Sequence, residues 1–170
     1  RASQAYTHRE RALDVNPTQP GVRAKLATAN YQEGDKDKAV VLLRDGPRGP
    51  EVLMLRRHGS SDVLGGAYVF PGGKLDEADS DDAAIGRAGA PAEALHARLG
   101  EPGLEARFAA GFFVAACRET FEEATVLLAR GADAGLAERA SRRARDGLGF
   151  ATLLAELGLE LASDALVPWT

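Results

Sequence analysis

Two rhythms of apolar and polar positions divide the chain. Ala39-Val40-Val41-Leu42-Leu43 is a short continuous apolar run, and Glu51-Val52-Leu53-Met54-Leu55-Arg56-Arg57 is a second. Between them lies Asp45-Gly46-Pro47-Arg48-Gly49-Pro50, rich in turn formers. Two such runs with a Gly/Pro connection predict an antiparallel hairpin. A third short strand, Ala67-Tyr68-Val69-Phe70, runs into Pro71-Gly72-Gly73-Lys74, and an acidic loop follows with Asp76, Glu77, Asp79, Asp81 and Asp82. Residues 83–107 predict one or two short helices interrupted by Gly and Pro. A strong helix is expected from about Phe108 to Ala129, further helical patterning covers 134–161, and Ala165-Leu166-Val167 predicts the start of a strand.

Residues 1–36 read differently. They are polar, and Asn16-Pro17 and Gln19-Pro20-Gly21 break any periodicity. Val22 to Asn30 predicts a short helix, and the stretch as a whole is expected to be a poorly tied-down arm without chemistry. The division is therefore an N-terminal extension, 1–36, and one domain, 37–170, long enough to bury a real core.

Composition narrows the partners. The net charge is −4, so nothing argues for a nucleic acid, which wants a basic face. A small anionic substrate stays open, because a bound cation can reverse the local sign. Cys117 is the only cysteine, which rules out an internal disulfide and fits a reducing compartment. No apolar run reaches the length of a bilayer span and no secretory signal is visible, so no membrane partner and a cytoplasmic location are expected. His8, His58 and His96 are scattered without ligand spacing.

The informative segment is Arg118-Glu119-Thr120-Phe121-Glu122-Glu123. On a helical wheel with Glu119 at zero, Glu122 falls near about −60° and Glu123 near about +40°. Phe113, Cys117, Phe121, Ala124 and Leu128 fall at about 120–200°. One side can enter a core while the other presents oxygen ligands. Neighbouring carboxylates repel one another, and a hard divalent cation such as Mg²⁺ would relieve that. Cys117, on the apolar side, reads as core and not as a nucleophile. Taken alone, the acidic string is more simply a solvated helix face. Phe70-Pro71-Gly72-Gly73 taken alone is an ordinary turn, although a glycine pair also lets the main chain approach a ligand closely.

Together the two segments resemble the box of the Nudix hydrolases, G-x5-E-x7-R-E-U-x-E-E-x-G-U with U apolar. Gly73 opens it, Arg118, Glu119, Glu122 and Glu123 match its second half, and Val126 matches its final apolar position. Asp79 stands where the pattern has Glu, Thr120 where it has a larger apolar residue, and Thr125 where it has Gly. Thr125 puts the usual helix-ending turn in question, because Thr resists left-handed backbone geometry. A long insertion, at about 80–107, separates the halves of the box. The chain is similar in this to acyl-coenzyme A diphosphatases that carry an insert there. An upstream motif of coenzyme A-cleaving members, L-L-T-x-R-[ST]-x3-R-x3-G-x3-F-P-G-G, is half matched: Leu53, Arg57, Gly66 and Phe70 to Gly73 agree. Met54, Leu55, His58 and Asp62 depart from it.

The resemblance implies an α/β fold, a Nudix-like α/β/α sandwich with a small mixed sheet. It implies divalent-dependent hydrolysis of a diphosphate linkage in a nucleotide-like small molecule, with coenzyme A or acyl-coenzyme A ranked first. Mg²⁺ or Mn²⁺ would be the cofactor, held by Glu119, Glu122 and Glu123, with Glu119 and Glu122 in catalysis. Arg118 would order this face, and Arg57, Gly72, Gly73 and Lys74 would meet substrate. Homodimerisation is left open. Two rivals stand beside this reading. One is a non-catalytic Nudix-like module that binds a nucleotide or a partner. The other is a surface helix on an unrelated α/β scaffold, with the Gly72-Gly73 loop far from Glu122. Because the family has further strands after the box helix, the chain is also expected to lack part of its sheet. It would then be poorly stable, self-associating or weakly active, unless residues 1–36 fold back as cover.

Overall fold

The computed structural model describes residues 23–27, 39–59 and 65–169, with the backbone alone for 23–27 and 169. Expectations for residues 1–22 and 28–38 and for Asp62 lie outside them. The fold is mixed α/β. Among the described residues the strands are β1 (Arg23–Ala27), β2 (Ala39–Gly46), β3 (Gly49–Val52), β4 (Leu55–Arg56), β5 (Tyr68–Val69) and β6 (Leu166–Trp169). The helices among them are α1 (Asp82–Ile85), α2 (Ala92–Leu99), α3 (Ala106–Ala124), α4 (Ala134–Arg145) and α5 (Phe150–Glu156). Two 3₁₀ turns, Glu77–Ser80 and Ser163–Ala165, join them.

The apolar run at Val40 to Leu43 forms β2, and its antiparallel hairpin with β3 aligns Leu43 with Val52 and Arg44 with Glu51. The Arg44–Glu51 ion pair at 2.5 Å braces that register. The expected strand 51–57 is instead split: β3 ends at Val52, and Leu55–Arg56 leaves to pair with Tyr68–Val69 as a separate two-stranded ribbon. The larger sheet runs β3-β2-β1-β6.

Its β1 corrects the reading of the N-terminal stretch. Arg23–Ala27 is a strand and not part of a helix, antiparallel to β2 and parallel to β6. Within that stretch the extension is sheet, and it supplies the neighbour that β6 needs. The two insertion helices, α1 and α2, form as expected. Arg98 of α2 donates to the carbonyls of Leu166, at 2.7 Å, and Ser163, at 3.3 Å, so the insertion pins the start of β6.

The central helix α3 carries most of the core. Phe113 and Cys117 are fully buried, as are Ala109, Ala110 and the neighbouring Val114 to Ala116 within a percent. Burial is therefore wider than the predicted stripe and covers nearly the whole circumference over 109–118. Gly111 in its middle costs about 1 kcal/mol of helix propensity relative to Ala. Its absent side chain leaves the space taken by Ser80 and Leu75, so the 3₁₀ turn lies directly on the helix. Thr120, fully buried where an apolar residue was expected, satisfies its hydroxyl on the Ala116 carbonyl at 2.7 Å.

The helix ends at Ala124, not Ala129. Thr125 takes the left-handed conformation, φ 57° and ψ 28°, and its N–H closes on the Phe121 carbonyl at 2.9 Å. It is the only non-glycine residue with positive φ among the described residues. The turn that glycine would make is thus made by a β-branched residue. Val126 to Ala129 then run on as a buried stretch, with Ala129 bridging Leu161. A left-handed L-residue costs about 1–2 kcal/mol.

Among the described residues no helix is long and apolar enough to cross a membrane.

Candidate active site

The site lies where the strand–turn after β5 meets the C-terminal half of α3. The Pro71 carbonyl accepts from the Val40 N–H at 2.7 Å, which anchors the turn on β2. From there the chain passes along the acidic face of α3. The Gly72 N–H donates to Glu123 Oε2 at 3.0 Å. A Cβ on Gly73 would stand 2.5–2.6 Å from the carboxylate atoms of Glu119. Gly73 is thus a steric requirement for Glu119, whose carboxylate fills the space a side chain would occupy.

Arg118 organises the rest. Its Nε donates to Asp79 Oδ1 at 2.8 Å and its Nη2 to Asp79 Oδ2 at 2.9 Å, a bidentate pair. Nη2 also reaches the Lys74 carbonyl at 3.0 Å, and Asp76 lies 3.5 Å away. Nη1 donates to Glu119 Oε1 at 2.9 Å and Glu122 Oε2 at 3.2 Å. One guanidinium therefore ties the turn after Gly73, the acidic loop and two helix carboxylates together. Asp79 is 3% exposed and also accepts the N–H of Asp76 at 2.9 Å, which closes the 3₁₀ turn.

The electrostatics follow from this crowding. Burial by itself would lower the Arg118 pKa. The Asp79 carboxylate, then the charges of Glu119 and Glu122, outweigh it and raise the pKa above its ordinary value. Burial raises the pKa of both Glu119 and Glu122, and Arg118 opposes that only in part. For Glu119 the charges of Asp76 and Asp79 add to the rise, and for Glu122 those of Glu119 and Asp79 do. Five carboxylates (Asp76, Asp79, Glu119, Glu122 and Glu123) share this corner with one guanidinium, and such an excess favours a further cation. Among the described residues no three His, Cys, Asp or Glu side chains are grouped so that they could hold a metal ion as they stand.

The sequence-predicted residues thus divide. Gly72, Gly73, Arg118, Glu119, Glu122 and Glu123 come together, and the loop lies against the acidic face. A surface helix remote from that loop does not describe this molecule. Lys74 is exposed, and its backbone is what joins the network. Arg57 lies half-buried just after β4, with its Nε out of solvent. Cys117 is fully buried and burial pushes its thiol up to about 12, so it is core. Asp79 and Asp76 are the residues that motif spacing did not secure as site members. Their signal was an acid beside a glycine turn, readable only once its basic partner is known.

No known protein family, no curated protein and no solved structure matches this chain.

Proposed function

We propose that this chain is a divalent-cation-dependent hydrolase of diphosphate linkages in nucleotide-like small molecules, a divergent relative of the Nudix enzymes built as their α/β/α sandwich. The observation that carries the reading is the clasp between the glycine turn and the acidic helix: Gly72 bonded to Glu123, and Gly73 cleared for Glu119. A turn of two segments far apart in sequence, closed by the acids a diphosphate enzyme would need, is a poor accident of a solvated helix face.

The donor set suits Mg²⁺ or Mn²⁺, which take carboxylate oxygens, keep several waters and share ligands with substrate phosphates. Glu122 and Glu123 would hold the ion, with Glu119 as a shared ligand or as the base. When bound, the ion would neutralise charge on the phosphates and lower the pKa of water. Glu119 in its base role takes a proton from the attacking water. The water oxygen bonds one phosphorus, the bridging P–O bond breaks, and the other phosphate leaves with the electron pair. Arg118 holds Glu119 and Glu122 in place. The Gly72 N–H is committed to Glu123, so among the glycine pair backbone contact with the diphosphate falls to Gly73.

Coenzyme A and its thioesters rank first as substrates, on the half-matched motif from Leu53 to Gly73. The test is a Mg²⁺-dependent turnover screen over coenzyme A, acyl-coenzyme A, ADP-ribose and nucleoside triphosphates. Cleavage of coenzyme A to 3′,5′-ADP and a phosphopantetheine species is expected. Clean cleavage of ADP-ribose with coenzyme A untouched would reverse the ranking, and no turnover of any would sink the enzyme reading. One observation favours the non-catalytic alternative: Arg118 Nη1 already bridges Glu119 and Glu122. That alternative predicts nucleotide binding without turnover.

Gly73→Ala separates the clasp from general stability. Its Cβ meets first the far end of the Glu119 side chain, which can shift at the expense of its bond from Arg118 while the backbone stays in place. Turnover is expected to fall about 100-fold, the scale of an ångström-sized misplacement, with an unchanged melting midpoint. A variant that keeps parental turnover removes Glu119 from the chemistry.

A further inference from the structure

The β4–β5 ribbon that leads into the glycine turn has one face that the carboxylate site does not use. From Glu51 to Arg57 exposure alternates: Val52, Met54 and Arg56 face solvent, while Leu53, Leu55 and Arg57 are half-buried. On the other strand Tyr68 and Phe70 face solvent and Val69 is half-buried. Arg56 aligns with Tyr68, so these two side chains share one face, with the exposed Met54 and Phe70 at the adjoining ends of the two strands. Tyr68 is 61% exposed, and with Val52, Met54 and Phe70 it makes up most of the large apolar side chains left open among the described residues. The Arg56 guanidinium stands 6.0 Å from the centre of the Tyr68 ring, the outer limit of cation–π contact.

We propose that this face is a ledge for the nucleobase of the substrate, with Tyr68 and Arg56 as its stacking pair and Phe70 and Met54 as its apolar floor. The proposal rests on the diphosphatase reading and adds to it the place where the nucleoside arm lies. Three observations choose this occupant. Five side chains fall far short of the roughly 20–30 residues a side of a stable protein interface, so a second copy is a poor match. A guanidinium loosely set beside a phenol ring stacks a flat, acceptor-rich π system, and an alkyl chain would leave that cation without a partner. From Tyr68 through Phe70 to Gly72 is at most about 14 Å of extended chain, so the ledge lies within that distance of the turn that closes on Glu119 and Glu123, a span for the nucleoside arm to bridge. Stacking of this kind tolerates any base, so purine and pyrimidine are both admitted.

The test uses the whole chain in Mg²⁺ and two non-hydrolysable probes, α,β-methylene-ADP and base-free methylenediphosphonate, measured by calorimetry. Tyr68 is exposed, so Tyr68→Ala is expected to fold normally. In the parent, α,β-methylene-ADP should bind about tenfold tighter than methylenediphosphonate or better, the worth of one stacked base. Tyr68→Ala should abolish that gap and leave methylenediphosphonate binding unchanged, and Tyr68→Phe should keep the gap. Equal affinity of the two probes for the parent overturns the ledge, as does a Tyr68→Ala variant that weakens both alike or changes only the oligomeric mass. If neither probe binds the parent, the diphosphatase reading fails and the ledge falls with it. If both bind equally, only the ledge falls.

Discussion

Glu122→Gln is expected to lower Mg²⁺-dependent hydrolysis of the preferred diphosphate by about 100-fold or more, the scale of losing one preorganised electrostatic contact in a site. Gln keeps the length and helix propensity of Glu and removes the charge. Glu122 is half exposed at the edge of the cluster and accepts a single bond from Arg118. The loss should therefore be chemical and not structural. Removing one of several crowded, repelling carboxylates should leave the melting midpoint unchanged or slightly raised. Parental turnover in this variant would show that the acidic face does not hold the reaction. A loss of turnover matched by a loss of helix content would show that the residue is structural.

The second large effect is on stability. Asp79→Ala should destabilise the fold by about 2–3 kcal/mol, the scale of losing buried hydrogen bonds to a charged group, because Glu119, Glu122 and the Lys74 carbonyl still hold Arg118. Both carboxylate oxygens of Asp79 are bonded to Arg118, one also holds the 3₁₀ turn, and the side chain is almost wholly out of solvent. Asp79→Asn should cost less, because it still accepts a bond and keeps the volume. Denaturant midpoints of Asp79→Ala, Arg118→Met and the double variant form a cycle. The double variant should be much less destabilised than the sum of the singles. Additive losses, or a cost for Asp79→Ala below about 1 kcal/mol, the range of an exposed pair, would show that this ion pair does not hold the acidic loop to α3.

Local pattern was enough for several elements. The apolar runs on either side of Asp45 to Pro50 specify the β2–β3 hairpin, because a short connection leaves few other ways to pair. The spacing of Glu119, Glu122 and Glu123 against Phe113, Cys117 and Phe121 specifies a helix with an acidic side near its C-terminal end, since helical geometry acts residue by residue. Gly and Pro likewise marked the breaks between α1 and α2. Each of these is a short-range consequence of covalent geometry and burial.

What only the tertiary structure decided has long-range partners. Arg23–Ala27 contains good helix formers, yet it is β1, because the backbone groups of β2 and β6 on either side of it outweigh a weak local preference. Thr125 disfavours the left-handed turn it adopts, and burying Val126 to Ala129 requires the chain to leave the helix there. Asp79 reads as one acid among five in its loop until Arg118 arrives from α3 and takes both its oxygens. Gly73 reads as a turn residue until Glu119 fills the space beside it. In each case the deciding contact joins segments whose separation in sequence carries no periodic signal, so propensity stated the local cost and packing settled whether it was met.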